Sequence, residues 1–459
     1  MATQEQANGR LVLVPGPFQG HLTPMLQLGA TLHSRGFPVT VFHTQFNSPD
    51  HSAHPDFDFI CSNDDVSEND RRSGNLIRLL NKLNSSCEAS FQEGLRGYLE
   101  KEGQGQGIKG IVFDPIMYFT EAVARRLNIP RFCLITNSAT TSLARAILPQ
   151  LKAEGLIPLP DSIKQDKVPK LHPLRFKDLP VSTVGDISDL LQLIQLAGNM
   201  RTSSAIILNS INFLEESSLA QLRETYGVPI FPIGPLHKMG PETTTSLMEE
   251  DERCMAWLDK QEDNSVIYIS VGSVASMNSK QMEEMAWGLT NSEQPFLWVN
   301  RPSASIPGSE WIESSNEEFK NSVKDRGCIV KWAPQRKVLA HRAVGGFWSH
   351  CGWNSTLESI CEGVPMICQP CFGDQLVNAR YVTHEWRVGM EAEGEIERGM
   401  VEEAVRRLMA GKEGEEMREK VRELKQGIDA STCEGGSSLE SLKELVEFLL
   451  LPLLPLASA

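Results

Sequence analysis

Short apolar runs alternate with longer stretches of helical spacing along nearly the whole chain, and this alternation limits the possible folds more than any other feature. Arg10–Pro15 (R-L-V-L-V-P) is an apolar run that ends in a Pro/Gly turn. His21–Arg35 follows with Leu22, Met25, Leu26, Ala30 and Leu32 at helical spacing, and Pro38–Thr44 is apolar again. The opening therefore predicts strand, helix, strand. Gly107–Asp114, Arg131–Thr136 and Ala205–Asn209 continue the series. Runs that are apolar throughout, each followed by a helix, are those of a parallel sheet covered on both faces.

From Pro229 to Glu252 the periodicity stops and Pro, Gly, Thr and acidic residues take over, which marks a linker at 236–252. A second series follows, with strands expected at Val266–Val271, Phe296–Asn300, Cys328–Lys331, Val344–Ser349 and Pro365–Cys368 and helices such as Gln281–Thr290 and Ser355–Gly363. The predicted class is α/β: two Rossmann-like, doubly wound parallel-sheet domains facing across a cleft. The first spans 1–235 and the second 253–459, with the C-terminal helix able to return to the first. A ligand belongs at the carboxyl ends of the strands.

The 459 residues carry a net charge of −15, which argues against a nucleic acid or an anionic membrane as partner. Any phosphate must then be held by a local cradle. Residues 1–10 lack a basic region followed by an apolar core, so a cytosolic protein is expected; the expected oligomeric state is a monomer. The apolar tail Leu445–Ala459 is interrupted by Glu447, Pro452 and Pro455 and is too short to span a bilayer. Ten scattered cysteines form no paired framework, and Cys368-x-x-Cys371 has no second pair near it.

The chemistry concentrates between Trp332 and Gln375. His350 ends a strand, Cys351 and Gly352 turn, and Asn354-Ser355 open a helix, a geometry that turns backbone N–H groups toward an anion. His350 offers a hydrogen bond or a positive charge, Asn354 and Ser355 are donors to phosphate oxygens, and Gly352 permits close approach. An ordinary capped helix after a tight turn would read the same in isolation. Glu358 on that helix has the chemistry to hold ribose hydroxyls, and Trp332 offers a flat face for a base. Asp374-Gln375 suits vicinal sugar hydroxyls. Base, diphosphate, ribose and sugar together describe a nucleotide-sugar.

Transfer of a sugar to a hydroxyl also needs a base that works near neutral pH, and histidine is the side chain suited to it. His21 lies at the first strand-to-helix turn. Asp114, at the end of a later strand, is placed to accept from its second ring nitrogen and so fix the tautomer. Asp56-Phe57-Asp58 has the D-x-D spacing of a metal site but lies far in sequence from the other residues, and no metal is expected.

The block W-A-P-Q…H-C-G-W-N-S…E…D-Q at Trp332–Gln375 resembles the signature of plant family-one UDP-sugar glycosyltransferases. P-F-Q-G-H at Pro17–His21, V-F-D at Val112–Asp114 and V-G-S at Val271–Ser273 match that family in place and order. F-H-T-Q-F-N at Phe42–Asn47 looks most like the branch of cytokinin, steviol-glycoside and benzoxazinoid glucosyltransferases. The resemblance implies a GT-B fold, UDP-glucose as donor, no metal and inversion to a β-glucoside. It implies that Trp332 stacks on uracil with Ala333 beside it, that Gln335 contacts uridine and that Glu358 holds the ribose. It assigns Ser273, His350, Asn354 and Ser355 to the diphosphate, and Trp353, Asp374, Gln375 and Thr136 to the sugar. It makes His21 the base and Asp114 its helper.

The expected acceptor is a small lipophilic metabolite such as a flavonoid, terpenoid, benzoxazinoid or phenolic, in a pocket flanked by Phe18, Ile116, Met117 and Asn137 and covered by residues between Pro180 and Met200. N-glucosylation of a cytokinin-like acceptor, an epimerase or hydrolase on the same plan, and a silent UDP-sugar-binding protein are the alternatives.

Overall fold

The computed structural model describes residues 9–72, 75–101, 107–181, 186–198, 200–273, 277–301, 317–323, 326–392 and 394–452. Two compact units emerge. The first is drawn from residues up to 160, 181–247 and from 430 onward, and the second from 161–180 and 248–429.

In the first unit seven strands, β1 (Arg10–Val14), β2 (Val39–Thr44), β3 (Asp58–Ser62), β4 (Ile108–Phe113), β5 (Arg131–Ile135), β6 (Ala205–Leu208) and β7 (Ile230–Pro232), form one sheet in the order β3-β2-β1-β4-β5-β6-β7. Every pairing is parallel. The expected helix after β1 runs from Gln19 to His33. Its Leu22, Met25, Leu26, Leu28 and Leu32 pack with Leu11, Leu13, Val39 and Val41 into one core. The chain's last long helix, Ser437–Leu450, belongs to this unit and buries Leu442, Leu445 and Leu449 in that core. Phe448 lies 5.6 Å from Phe231 and 6.4 Å from Phe132, ring centre to ring centre. Lys109 Nζ donates to the carbonyls of Leu450 (3.3 Å) and Leu451 (2.8 Å), a positive charge at the helix end where carbonyls have no helical partner.

In the second unit β8 (Val266–Ser270), β9 (Phe296–Val299), β10 (Gly327–Val330), β11 (Val344–Ser349), β12 (Met366–Cys368) and β13 (Gly389–Glu391) form a parallel sheet ordered β10-β9-β8-β11-β12-β13. Residues 161–180, expected with the first half, cluster here instead. Polar anchors account for this. Arg380 Nε donates to Pro173 O (3.0 Å) and Tyr381 Oη to His172 O (3.2 Å). Asp178, held by Arg175 Nε and Nη2 at 2.9 Å each, also lies 3.6 Å from Arg380 Nε.

The strands that sequence periodicity missed are β3, β7 and β13, and all three are sheet edges. Edge strands are short and need no continuous apolar run. In β3 only Ser62 is fully buried, and β7 lies just past Pro229, where the periodicity stops.

Replacing Leu445 by Ala should cost about 2–5 kcal/mol, the range for a fully buried leucine whose site cannot collapse. Urea unfolding followed by the Phe-rich first core would read this, and an unchanged midpoint would show that the C-terminal helix contributes nothing to that unit.

Candidate functional site

Strand order reverses direction between β1 and β4 in the first sheet, so their connections leave in opposite directions and open a crevice at the strand ends. Val14 pairs with Phe113 at the end of this ladder, and Asp114 N donates to Val14 O at 2.9 Å. Asp114 is fully buried, with Oδ1 accepting from Ile116 N (3.1 Å) and Oδ2 lying 2.7 Å from His21 Nδ1. His21 stands in the first turn of helix Gln19–His33. Gly16 makes the approach possible, since a Cβ there would lie 2.6 Å from Ile116 Cδ1 and 3.1 Å from His21 Cβ. A carboxylate can only accept, so the ring proton belongs on Nδ1 and the neutral imidazole keeps its lone pair on Nε2.

Thr136, at the end of β5, joins this pair: its Oγ1 is 3.1 Å from the same Nδ1. The resemblance gave it only a sugar contact. The residues around the dyad are unequal. Phe18 lies edge-on to His21 (6.2 Å) and Phe46 (6.1 Å). Phe18 and Ile116 are partly buried against Ile77, Leu80, Leu190 and Leu193, an apolar wall to which helix Ile187–Ala197 contributes. Met117, expected beside them, is 1% exposed and belongs to the core, because the turn after Asp114 folds it inward. Asn137 spends its amide locally, with Ser138 O, Ser142 Oγ and Arg145 Nη1 at 2.8–2.9 Å.

The second sheet reverses between β8 and β11, where Ser270 pairs with Ser349. The residues that follow are Val271-Gly272-Ser273 and His350-Cys351-Gly352, so the expected phosphate residues come from both sides of one crevice. The His350 ring is held between two glycines. A Cβ at Gly272 or at Gly352 would lie 2.5 Å from its Nε2, and Gly272 also has φ +82°. His350 Nδ1 is enclosed, beside the Ser270 backbone. Burial pushes this imidazole down to about 4, only partly offset by Asp374, so it is neutral at pH 7. Of its two expected roles, hydrogen bonding is the one the ligand-free site allows.

Cys351 takes a left-handed conformation (φ 62°), and helix Trp353–Glu362 begins from Gly352 with no side-chain cap. That helix start is suited to an anion. Ser273 and Asn354 are partly exposed beside this turn, and Trp353 is buried.

Trp332 and Ala333 follow β10, Trp332 partly exposed and Ala333 buried, and Gln335 opens a short helix, Gln335–Leu339. Gln335 Nε2 donates to Glu358 Oε2 (2.7 Å) and Ser355 Oγ (2.9 Å), so this amide faces its neighbours. Glu358 is 8% exposed, and burial pushes its carboxyl up to about 7 against the lowering effects of Gln335 and Arg336. Gln375 Oε1 accepts from Cys371 N (2.8 Å) and Phe372 N (3.1 Å), which turns its NH₂ the other way. Asp374 Oδ2 accepts from Asn378 Nδ2 (3.1 Å), and the same nitrogen donates to Cys351 O (2.9 Å). Asn378 thus braces the Asp-Gln pair against the His-Cys-Gly turn. Sequence reading missed it, although its place four residues after Asp374 on one helix was a usable signal.

The D-x-D spacing has a structural explanation. Asp58 begins β3, and its Oδ2 accepts from Arg10 Nη1 (2.6 Å) and Tyr98 Oη (2.8 Å). Among the described residues, no three His, Cys, Asp or Glu side chains converge on a metal position.

Residues 83–425 match the family described as UDP-glucoronosyl and UDP-glucosyl transferase. UDP-glycosyltransferase 76E1 of Arabidopsis thaliana is 51% identical over 443 residues, covering 96% of this chain and 97% of that protein. Flavonol 3-O-glucosyltransferase UGT76E12 of the same plant is 48% identical over 452 residues, covering 97% and 98%. Medicago truncatula UGT71G1 complexed with UDP-glucose matches with a TM-score of 0.80 at 26% identity, covering 98% of this chain and 100% of that one. Phytolacca americana UGT2 complexed with UDP-2fluoro-glucose and pterostilbene gives 0.77 at 27% identity, covering 97% and 100%.

The buried carboxylate generates a stability prediction. A folded-state value of about 7 against an ordinary 4.5 means that the fold prefers neutral Glu358. That contribution is fully present below pH 4.5 and is lost as pH rises through 7. Glu358→Gln should therefore raise the Tm of the ligand-free protein at pH 8 by about 3 °C or more and leave it unchanged at pH 4.5. Scanning calorimetry at both pH values checks this, and an equal shift at each would exclude ionisation as the cause.

Proposed function

The chain belongs to the UDP-glucoronosyl and UDP-glucosyl transferase family as a plant-type family-one UDP-glycosyltransferase of GT-B fold, and we propose that it moves glucose from UDP-glucose to a hydroxyl of a small apolar metabolite. Glycosyl transfer from a UDP-sugar follows from the family. Glucose as the sugar, a planar phenolic such as a flavonol as the acceptor, and a β-glucoside as the product are the finer reading. The relative named as a flavonol 3-O-glucosyltransferase supports the acceptor class, as does the apolar wall of Phe18, Ile116, Leu190 and Leu193. The structure in complex with UDP-glucose supports the donor.

The observation that carries the proposal is the His21–Asp114 contact at 2.7 Å, with a buried carboxylate behind an imidazole that is 29% exposed. His21 Nε2 takes the proton from the acceptor hydroxyl as that oxygen bonds to the anomeric carbon. The bond from that carbon to the β-phosphate oxygen breaks on the opposite side, and UDP leaves with the electron pair. One displacement inverts the configuration, so an α-linked donor gives a β-glucoside. Asp114 balances the imidazolium that forms, while the helix start at Gly352–Ser355 and a hydrogen bond from His350 face the charge growing on UDP.

Trp332 and Ala333 hold the uracil, Glu358 the ribose, Ser273, Asn354 and Ser355 the diphosphate, and Trp353, Asp374 and Gln375 the glucose. Gln375 presents its NH₂ as a donor, so the sugar oxygen it meets is an acceptor. On this reading the enzyme works without a metal, as a monomer, in the cytosol. Among the described residues, no helix is long and apolar enough to cross a membrane.

His21→Ala should lower kcat about 10²–10⁴-fold while leaving UDP affinity within about twofold. Initial rates with UDP-glucose and a flavonol panel, alongside calorimetric UDP titration, test this, and parallel loss of rate and affinity would sink the assignment of His21 as base. EDTA should leave the rate unchanged, whereas inactivation reversed by a divalent cation would reject metal-free transfer.

A further inference from the structure

Tyr268 lies in the middle of β8, 1% exposed, with its ring stacked on Phe347 of β11 (centres 5.0 Å apart, 19° between planes). Its hydroxyl donates to Gln335 Oε1 at 3.3 Å. Burial holds this phenol far above its ordinary range, so it remains a proton donor at every working pH. Gln335 in turn spends both N–H groups, one on Glu358 Oε2 (2.7 Å) and one on Ser355 Oγ (2.9 Å).

We propose that Tyr268 is a positioning residue that sets the hydrogen-bond polarity of the nucleotide site through Gln335. The inference rests on the reading that Glu358 holds the ribose and Ser355 the diphosphate. An amide can turn over and exchange its oxygen for its nitrogen. A tyrosine hydroxyl facing one end and a carboxylate the other allow a single orientation, oxygen to Tyr268 and nitrogen to Glu358.

Two consequences follow at the ligand surface. Glu358 receives one charge-assisted hydrogen bond at Oε2, which opposes the effect of burial and leaves Oε1 to accept from the ribose hydroxyls. Ser355 Oγ is used as an acceptor by Gln335, so its own hydrogen is left to donate to a phosphate oxygen. The ribose diol thus meets an acceptor and the phosphate a donor, as each requires. Removing the tyrosine hydroxyl strands Gln335 Oε1 without its buried partner, and the amide is then free to leave Glu358, whereas the Ser355 hydroxyl keeps its hydrogen for the phosphate with or without the amide.

Tyr268→Phe keeps the ring, its volume and its stacking on Phe347, so the fold is preserved. The full-length variant should bind UDP about fivefold more weakly but lose no more than about twofold on 2′,3′-dideoxy-UDP, which has the phosphates without the diol. The KM for UDP-glucose should rise by the UDP factor, with kcat within about twofold of wild type. Tyr268→Phe combined with Gln335→Ala should bind UDP no worse than Gln335→Ala alone, because the hydroxyl acts only through that amide. Wild-type protein that binds UDP and dideoxy-UDP equally would overturn the ribose reading and this proposal with it. Wild type that prefers UDP while Tyr268→Phe loses equally on both ligands, or on neither, would overturn the role of Tyr268 and leave that reading standing.

Discussion

Everything chemical in this chain depends on where each parallel sheet reverses its strand order. Connections that leave in opposite directions cannot fill the edge between them, so a crevice opens at the carboxyl ends of two neighbouring strands. In the first unit those strands are β1 and β4, and they deliver His21 and Asp114. In the second they are β8 and β11, and they deliver Gly272 and Ser273 on one side and His350 and Gly352 on the other. The same constraint acts twice with different residues, giving in one unit the His21–Asp114 pair proposed as proton acceptor and in the other the helix start proposed to hold the diphosphate.

Burial then sorts the ionisable groups into tasks. Asp114 has no exposed surface yet is satisfied at both oxygens, which suits a carboxylate that must balance an imidazolium. His350 is forced neutral by its surroundings and stands between two glycines, a donor with no charge of its own. Glu358 is pushed toward neutrality and drawn back by Gln335. A protein of net charge −15 cannot attract a diphosphate by its overall field. In the proposed function the attraction comes instead from a helix start and a few oriented donors, which act only at contact range.

Much of this was legible in the sequence because the relevant signals are local. Inner strands such as β1, β4, β8 and β11 are covered on both faces and read as unbroken apolar runs. The edge strands β3, β7 and β13 lack that demand and stayed hidden, β3 within a His, Pro and Asp-rich stretch. His21, His350 and Glu358 were recognisable because turns and helix starts are written in consecutive residues. Tyr268 and Asn378 were not. Tyr268 sits in an apolar strand where an aromatic residue is unremarkable, and its partner is distant along the chain. The anchoring of residues 161–180 beside Arg380 and Tyr381 was equally invisible, since it depends on backbone carbonyls that carry no sequence signature.

The sequence alone determined two doubly wound α/β halves, the Trp332–Gln375 block and the pairing of His21 with Asp114, because periodicity and turn chemistry act over short stretches of chain. Tertiary structure alone decided which side chains meet: Thr136 on the ring nitrogen that Asp114 also holds, Met117 in the core, Gln335 turned toward Glu358, and the last helix closing the first unit's core. These outcomes depend on distances between residues far apart in sequence, and only the packed sheets fix those distances.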